Sequence, residues 1–212
     1  MDVQRAILAL KRKGFSVRSF ETAKDAADYL AQSISGKTVG IGGSMTIQEL
    51  GLYERLAQNN TVYWHWITND TETRLSAASA SVYLTSANAI AETGEIINID
   101  GSGNRVAATL YNHERVIFVA GVNKLAPDYE SAMFRARNVA APLNARRLKR
   151  NTPCAVGKVM KCYDCDSKDR ICNGVVTLLR PMGGVGVTEV VLVGEELGYG
   201  LSTVSRTDFI RY

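Results

Sequence analysis

Four kinds of feature are scarce or missing in this chain, and each scarcity excludes something. No run of about 18 apolar residues occurs, so a membrane-spanning helix is not expected. The first residues, MDVQRAILALKRKGF, mix charge through the apolar positions, which is the pattern of an amphipathic helix and not of a signal peptide. Only two histidines are present, His65 and His113, and no serine motif stands near either, so a Ser-His-Asp hydrolase has little support. Neither a P-loop nor a dinucleotide-binding glycine fingerprint is found, and with them go the usual nucleotide, flavin and NAD sites. Cysteine is absent everywhere except residues 154–172. The chain is expected to be cytoplasmic, where thiols stay reduced and clustered cysteines hold metal more often than they form disulfides.

What is there fits one α/β domain over residues 1–212, with residues 151–174 as a cysteine-rich segment inside it. Formal charge is +4, but residues 141–170 carry eight Lys/Arg against three Asp, so the remainder is slightly acidic. The run Arg146-Arg147-Leu148-Lys149-Arg150 reads as a solvated helix end complementing its own dipole, and nucleic acid is not expected as a partner. Hydrophobic periodicity gives helices near 3–12 and 22–34, a strand at 38–41, a helix at 45–57 and a strand at 61–67. Further on, 83–100 reads as strand, sharp turn and strand, and 115–122 as a strand buried on both faces. A helix is expected over 128–140, with strands at 175–179 and 188–198. Such alternation favours an open, mostly parallel sheet with helices on both faces.

GIGGSMT, at 40–46, stands where a strand turns into a helix. Gly42 and Gly43 let the backbone approach a ligand, Ser44 can cap the helix, and Thr46 adds a hydroxyl. Backbone N–H groups at such a turn favour phosphate or carboxylate, and ligands of open α/β sheets lie beyond the carboxyl ends of strands. Asn123-Lys124 follows the buried strand at a second such end, where the lysine can pair with an anion.

The run YLTSANAIAETGEIINIDGSGNRVAATLYNHERVIFVAGVNKLAPD, with GIGGSMT before it and APLNARRL after it, resembles the lactate-utilisation (LUD) domain family over about residues 36–195. The resemblance implies a fold like that of CoA transferases and ribose-5-phosphate isomerase. It also implies membership of a family some of whose members act with iron–sulfur proteins in oxidising lactate, and a separate iron–sulfur or flavin partner is expected to handle electrons. Glu92-Thr93-Gly94 is similar to the Glu-x-Gly element that carries the nucleophilic carboxylate of CoA transferases. The resemblance therefore makes Glu92 a candidate catalytic residue, with Thr93 and Gly94 as ligand contacts.

Cys154, Cys162, Cys165 and Cys172 follow C-x7-C-x2-C-x6-C. The Cys162–Cys165 knuckle can aim two sulfurs at one ion while the outer pair closes a tetrahedron, a set that suits zinc or an iron–sulfur cluster. The leading expectation is thus a component of a lactate-utilisation-type oxidoreductase system that binds a small carboxylate or phosphate. The alternatives are a stand-alone CoA-transferase or sugar-phosphate-isomerase-like enzyme, and a metal-stabilised regulatory or scaffold protein.

Overall fold

The structure, a computed structural model, describes residues 1–200. In chain order the first half runs α1 (Val3–Arg12), β1 (Ser16–Phe20), α2 (Ala23–Ser33), β2 (Thr38–Ile41), α3 (Met45–Glu49), α4 (Leu52–Leu56), β3 (Thr61–Trp64), α5 (Thr71–Ala78), β4 (Val82–Ser86), β5 (Ala89–Ala91) and β6 (Ile96–Asp100). Then come α6 (Asn104–Ala108), β7 (His113–Gly121), β8 (Leu125–Ala126), α7 (Tyr129–Arg135), α8 (Ala141–Arg147), α9 (Pro153–Val156), β9 (Gly174–Leu178) and β10 (Val185–Val193).

Six strands form an all-parallel sheet in the order β1-β10-β7-β4-β2-β3. Its central strands are apolar on both faces because both faces are covered. Along β7, Val116, Phe118 and Ala120 enter one core, with Ala6 and Leu10 of α1, while Ile117 and Val119 enter the other, with Leu30 of α2 and Ile47 of α3. Cutting fully buried Phe118 to alanine would cost about 3–5 kcal/mol. Gly40 of β2 is a requirement of close packing, since a Cβ there would sit 2.2 Å from the Ala77 carbonyl oxygen of α5.

A second, four-stranded mixed sheet in the order β8-β5-β6-β9 was not foreseen. Two of its strands are only three and two residues long, too short for any periodicity to register. It packs on Ala132 of α7 and on Ala136 of the π turn that follows. Both β4 and its neighbour β7 run out of the large sheet and into this small one, β4 through Ala87-Asn88 to β5 and β7 through a 3-10 turn, Val122–Lys124, to β8. Where these two strands pass between the sheets, Ala87, Asn88 and Lys124 line a cavity.

Other boundaries also differ from the sequence reading. The helix expected over 45–57 is broken by Gly51, whose φ of 58° suits glycine, into α3 and α4. The strand expected to reach residue 67 stops at Trp64, whose carbonyl oxygen accepts from the amides of Ile67 and Thr68 in a turn. The helix expected to end at 140 continues through a π turn, Ala136–Ala140, into α8. Pro142 falls in the first turn of α8, directly after the π turn. No helix among the described residues is long and apolar enough to cross a membrane.

Candidate functional site

Beyond the carboxyl ends of β2, β4 and β7 lies a polar cavity of about 310 Å³, closed on its far side by α8 and by the loops after β6 and β10. On its wall stands Lys124, almost wholly buried. Its amine donates to Thr46 Oγ1 at 2.6 Å and to Ser86 Oγ at 2.7 Å. Ser86 in turn donates its own proton to the Val119 carbonyl oxygen at 2.5 Å, so its lone pairs are free to accept from the lysine. Burial, reinforced by the nearby guanidinium groups of Arg135 and Arg105, pushes the Lys124 pKa down to about 7.

The two arginines that depress the lysine are structural struts. Arg105 donates to Asn98 Oδ1 at 2.5 Å and to the Ile99 carbonyl oxygen at 2.7 Å, and pairs with Asp100 at 3.2 Å. Arg135 ties together the carbonyl oxygens of Asn123, Asn88 and Tyr199, and burial lowers its pKa to about 10. Arg147, also on the wall, is different. Among the described residues its partners are the Asn144 amide oxygen, the Trp66 ring (4.9 Å to the centroid) and Tyr199, none of them a carboxylate.

The residues singled out from the sequence divide into three groups. Gly43, Ser44, Thr46 and Lys124 line the cavity together. Ser44 caps α3 by accepting from the Ile47 amide at 3.3 Å. Gly42 and Asn123 support the wall: a Cβ on Gly42 would come within 2.8 Å of the Tyr83 hydroxyl, and Asn123 accepts from the Leu197 amide at 3.1 Å.

Glu92, Thr93 and Gly94 do not line the cavity. Glu92 is buried against the amino end of α1, where it accepts from the Asp2 amide at 2.8 Å and meets Arg5 at 3.6 Å. Thr93 hydrogen-bonds Glu95, and Gly94, at φ 97°, packs under Ala9 and Lys13. Of the histidines, His65 lines the cavity, and burial, with Arg74 second, lowers its pKa. His113 is buried at the amino end of β7, Nδ1 2.6 Å from the Ala80 carbonyl oxygen.

The sequence reading missed Ser86, Arg105, Asn144, Arg147 and Tyr199. Only Arg147 carried a signal, and it was hidden inside a basic run that reads as a solvated helix end.

All four cysteines are unpaired and half-buried, and they line one small cavity of about 20 Å³ against Ala141, Pro142 and Ala145. Burial, followed by the neighbouring Cys165 and Cys172, raises the Cys154 pKa despite a hydrogen bond to Thr152. Cys162 Sγ receives the Asp164 amide at 3.4 Å and Arg137 at 3.6 Å. As the side chains stand, no three His, Cys, Asp or Glu among the described residues converge on a common metal position. Ile171 of this segment forms part of both the cysteine cavity and the larger one, its carbonyl oxygen packed against Gly101.

An all-parallel sheet covered by helices on both faces, with a cavity at the strand carboxyl ends and a buried lysine on its wall, defines an α/β protein of the doubly covered class. The chain belongs to the LUD-domain family, whose model matches residues 3–193, and so to the lactate-utilisation type of protein in general. The match begins well before residue 36, so α1, which braces Glu92, lies within it. In structure the chain is similar to a DUF162 family protein from Deinococcus radiodurans known from its crystal structure. That likeness covers 91% of this chain and 96% of the other, with a TM-score of 0.55 at 13% identity, and it speaks for the fold. No curated protein matches the sequence.

Proposed function

We propose that this chain binds a small carboxylate or phosphate compound in the cavity beside Lys124, as the ligand-binding component of a lactate-utilisation-type oxidoreductase system. The observation that carries this reading is a wall with two cationic side chains, Lys124 and Arg147, whose hydrogen-bond partners are hydroxyls and an amide oxygen. An anion entering there meets cationic groups that no carboxylate partners among the described residues. A partner protein with an iron–sulfur or flavin centre would carry the electrons.

Thermal-shift measurements with acetate, lactate, phosphate and sulfate test it. A true ligand at a hundred times its Kd adds about 2.7 kcal/mol, a rise of roughly 5–10 °C for a domain of this size. Arg147→Met should weaken that ligand roughly ten- to a hundredfold, the worth of one charged hydrogen bond. Melting temperatures indifferent to every small anion would sink the reading.

A second reading concerns the cysteine segment, to which we assign one zinc ion. It is supported by four thiols around one cavity near the size of a single water-sized sphere, which suits one ion better than a multi-iron cluster. Arg137 and the Asp164 amide at Cys162 would stabilise thiolates. Because the sulfurs do not converge as they stand, binding requires side-chain rotation coupled to thiol deprotonation. Protein purified without oxygen should contain one zinc per chain. Four thiols reacting freely in metal-free protein would refute it, and iron with sulfide would replace zinc by a cluster.

A further inference from the structure

Lys124 has a property beyond charge. A neutral amine carries two N–H bonds and one lone pair. Both N–H bonds already have acceptors, Thr46 Oγ1 and Ser86 Oγ, each fixed by the fold. Among the described residues no third side chain claims the remaining position about the nitrogen. Gly198 passes close by, and a Cβ there would lie 3.3 Å from the amine, so the absence of a side chain keeps that approach open. The Arg147 guanidinium, stacked on Trp66, is on the wall of the same cavity.

We infer that Lys124 is a nucleophile that condenses with the carbonyl carbon of a small 2-oxo acid bound in this cavity, forming an imine, with Arg147 holding the acid's carboxylate. The inference rests on the small-anion reading of the cavity and names its substrate class. In the step, the nitrogen lone pair forms the C–N bond while the carbonyl π pair moves to oxygen. That oxygen takes one proton from nitrogen and then leaves as water, with a second proton, as C=N forms. No oxidant or reductant is consumed. Both protons of that water come from the nitrogen, which thereby gives up its hold on Thr46 and Ser86.

The free-base form is available near neutrality, because burial and two arginines hold the amine at about 7. About half of Lys124 is then neutral at pH 7, against roughly one in two thousand of an ordinary exposed lysine. Lower intrinsic nucleophilicity gives some of that advantage back. Lys124 should still be labelled about 20 to 50 times faster than exposed lysines such as Lys24.

The test incubates the whole chain with glyoxylate or pyruvate, adds borohydride, and maps the adduct by peptide mass. Propionate, which has a carboxylate and no carbonyl, is run alongside as a competitor and as a thermal-shift ligand. The expected result is one adduct per chain, on Lys124, suppressed by propionate, increasing through pH 7, absent from Lys124→Met and unchanged in Lys24→Met. Competition by propionate is read on the native sequence, so the test survives if Lys124→Met fails to fold. If propionate stabilises the protein but no Lys124 adduct forms, the imine is wrong and the anion site stands. If adducts spread evenly over exposed lysines, the imine is likewise wrong. If no acid shifts the melting temperature and none is trapped, both readings fall.

Discussion

The Lys124 amine stands 2.7 Å from the Ser86 hydroxyl, and Ser86 spends its own proton on the Val119 carbonyl oxygen of β7. Two strands that leave the large sheet side by side are thereby stitched together at their exits by a group whose charge is finely balanced. Most of what can be tested about the molecule follows from that balance.

The first expectation concerns affinity. An anion next to Lys124 favours its charged form, so above pH 7 each anion that binds without covalent reaction must bring a proton with it. Affinity for propionate or phosphate should therefore fall by up to about tenfold per pH unit from 7 upward, and level off below the lysine pKa. Phosphate's own second ionisation makes propionate the cleaner probe. Titration calorimetry in two buffers of different ionisation enthalpy reads the proton uptake directly, and its absence at pH 8 would contradict the placement of the lysine.

The second concerns stability. The folded pKa of Lys124 is depressed to about 7 while an unfolded lysine titrates near 10.4, so between these values the unfolded chain holds the extra proton. Stability should climb with pH across that window by up to roughly 1.4 kcal/mol per unit from this group, with no such climb below pH 7. Denaturant midpoints of the native sequence minus those of Lys124→Met isolate the effect. A flat difference would mean the amine is far less buried than described.

Glu92→Gln probes a buried carboxylate that lies outside the cavity. Its oxygens receive the Asp2 amide and face Arg5 at the start of α1. The substitution should cost about 1–2 kcal/mol, a fall of roughly 2–8 °C in Tm, while propionate binding stays within twofold of native. Loss of binding at unchanged Tm would return Glu92 to the centre of the chemistry.

Gly40→Ala asks whether the α5–β2 contact is as tight as it looks. The added methyl would be driven to 2.2 Å from the Ala77 carbonyl oxygen, an impossible approach that only separation of helix and strand relieves. The variant should be insoluble or melt many degrees lower. Native-like melting of Gly40→Ala would refute the packing.

Much of this was readable beforehand, and the exceptions have physical causes. The 115–122 strand and the α2 face of Ala26, Ala27 and Leu30 were legible because burial imposes periodicity over many residues. The second sheet was not, because β5 and β8 gain their identity from each other and not from any local pattern. Lys124 was legible as a position at a strand end, yet its burial depends on Thr46 and Ser86, which are 78 and 38 residues away in sequence. Ser86 looked like any strand serine. Glu92 attracted notice through its motif, and only the docking of α1 reveals where its carboxylate points.

Ile171, together with Ala141, lines two compartments with unrelated chemistry, thiols on one side and a cationic chamber on the other. A partition shared in this way is a thermodynamic lever. If an event at the sulfurs shifts Ile171, it alters the free energy of occupancy next door, and occupancy must shift the sulfur equilibrium by an equal amount in return. Zinc or oxidant affinity measured with and without a cavity ligand would therefore report the same coupling twice. Such a coupling would tie the state of the thiols to the binding of a small anion next door.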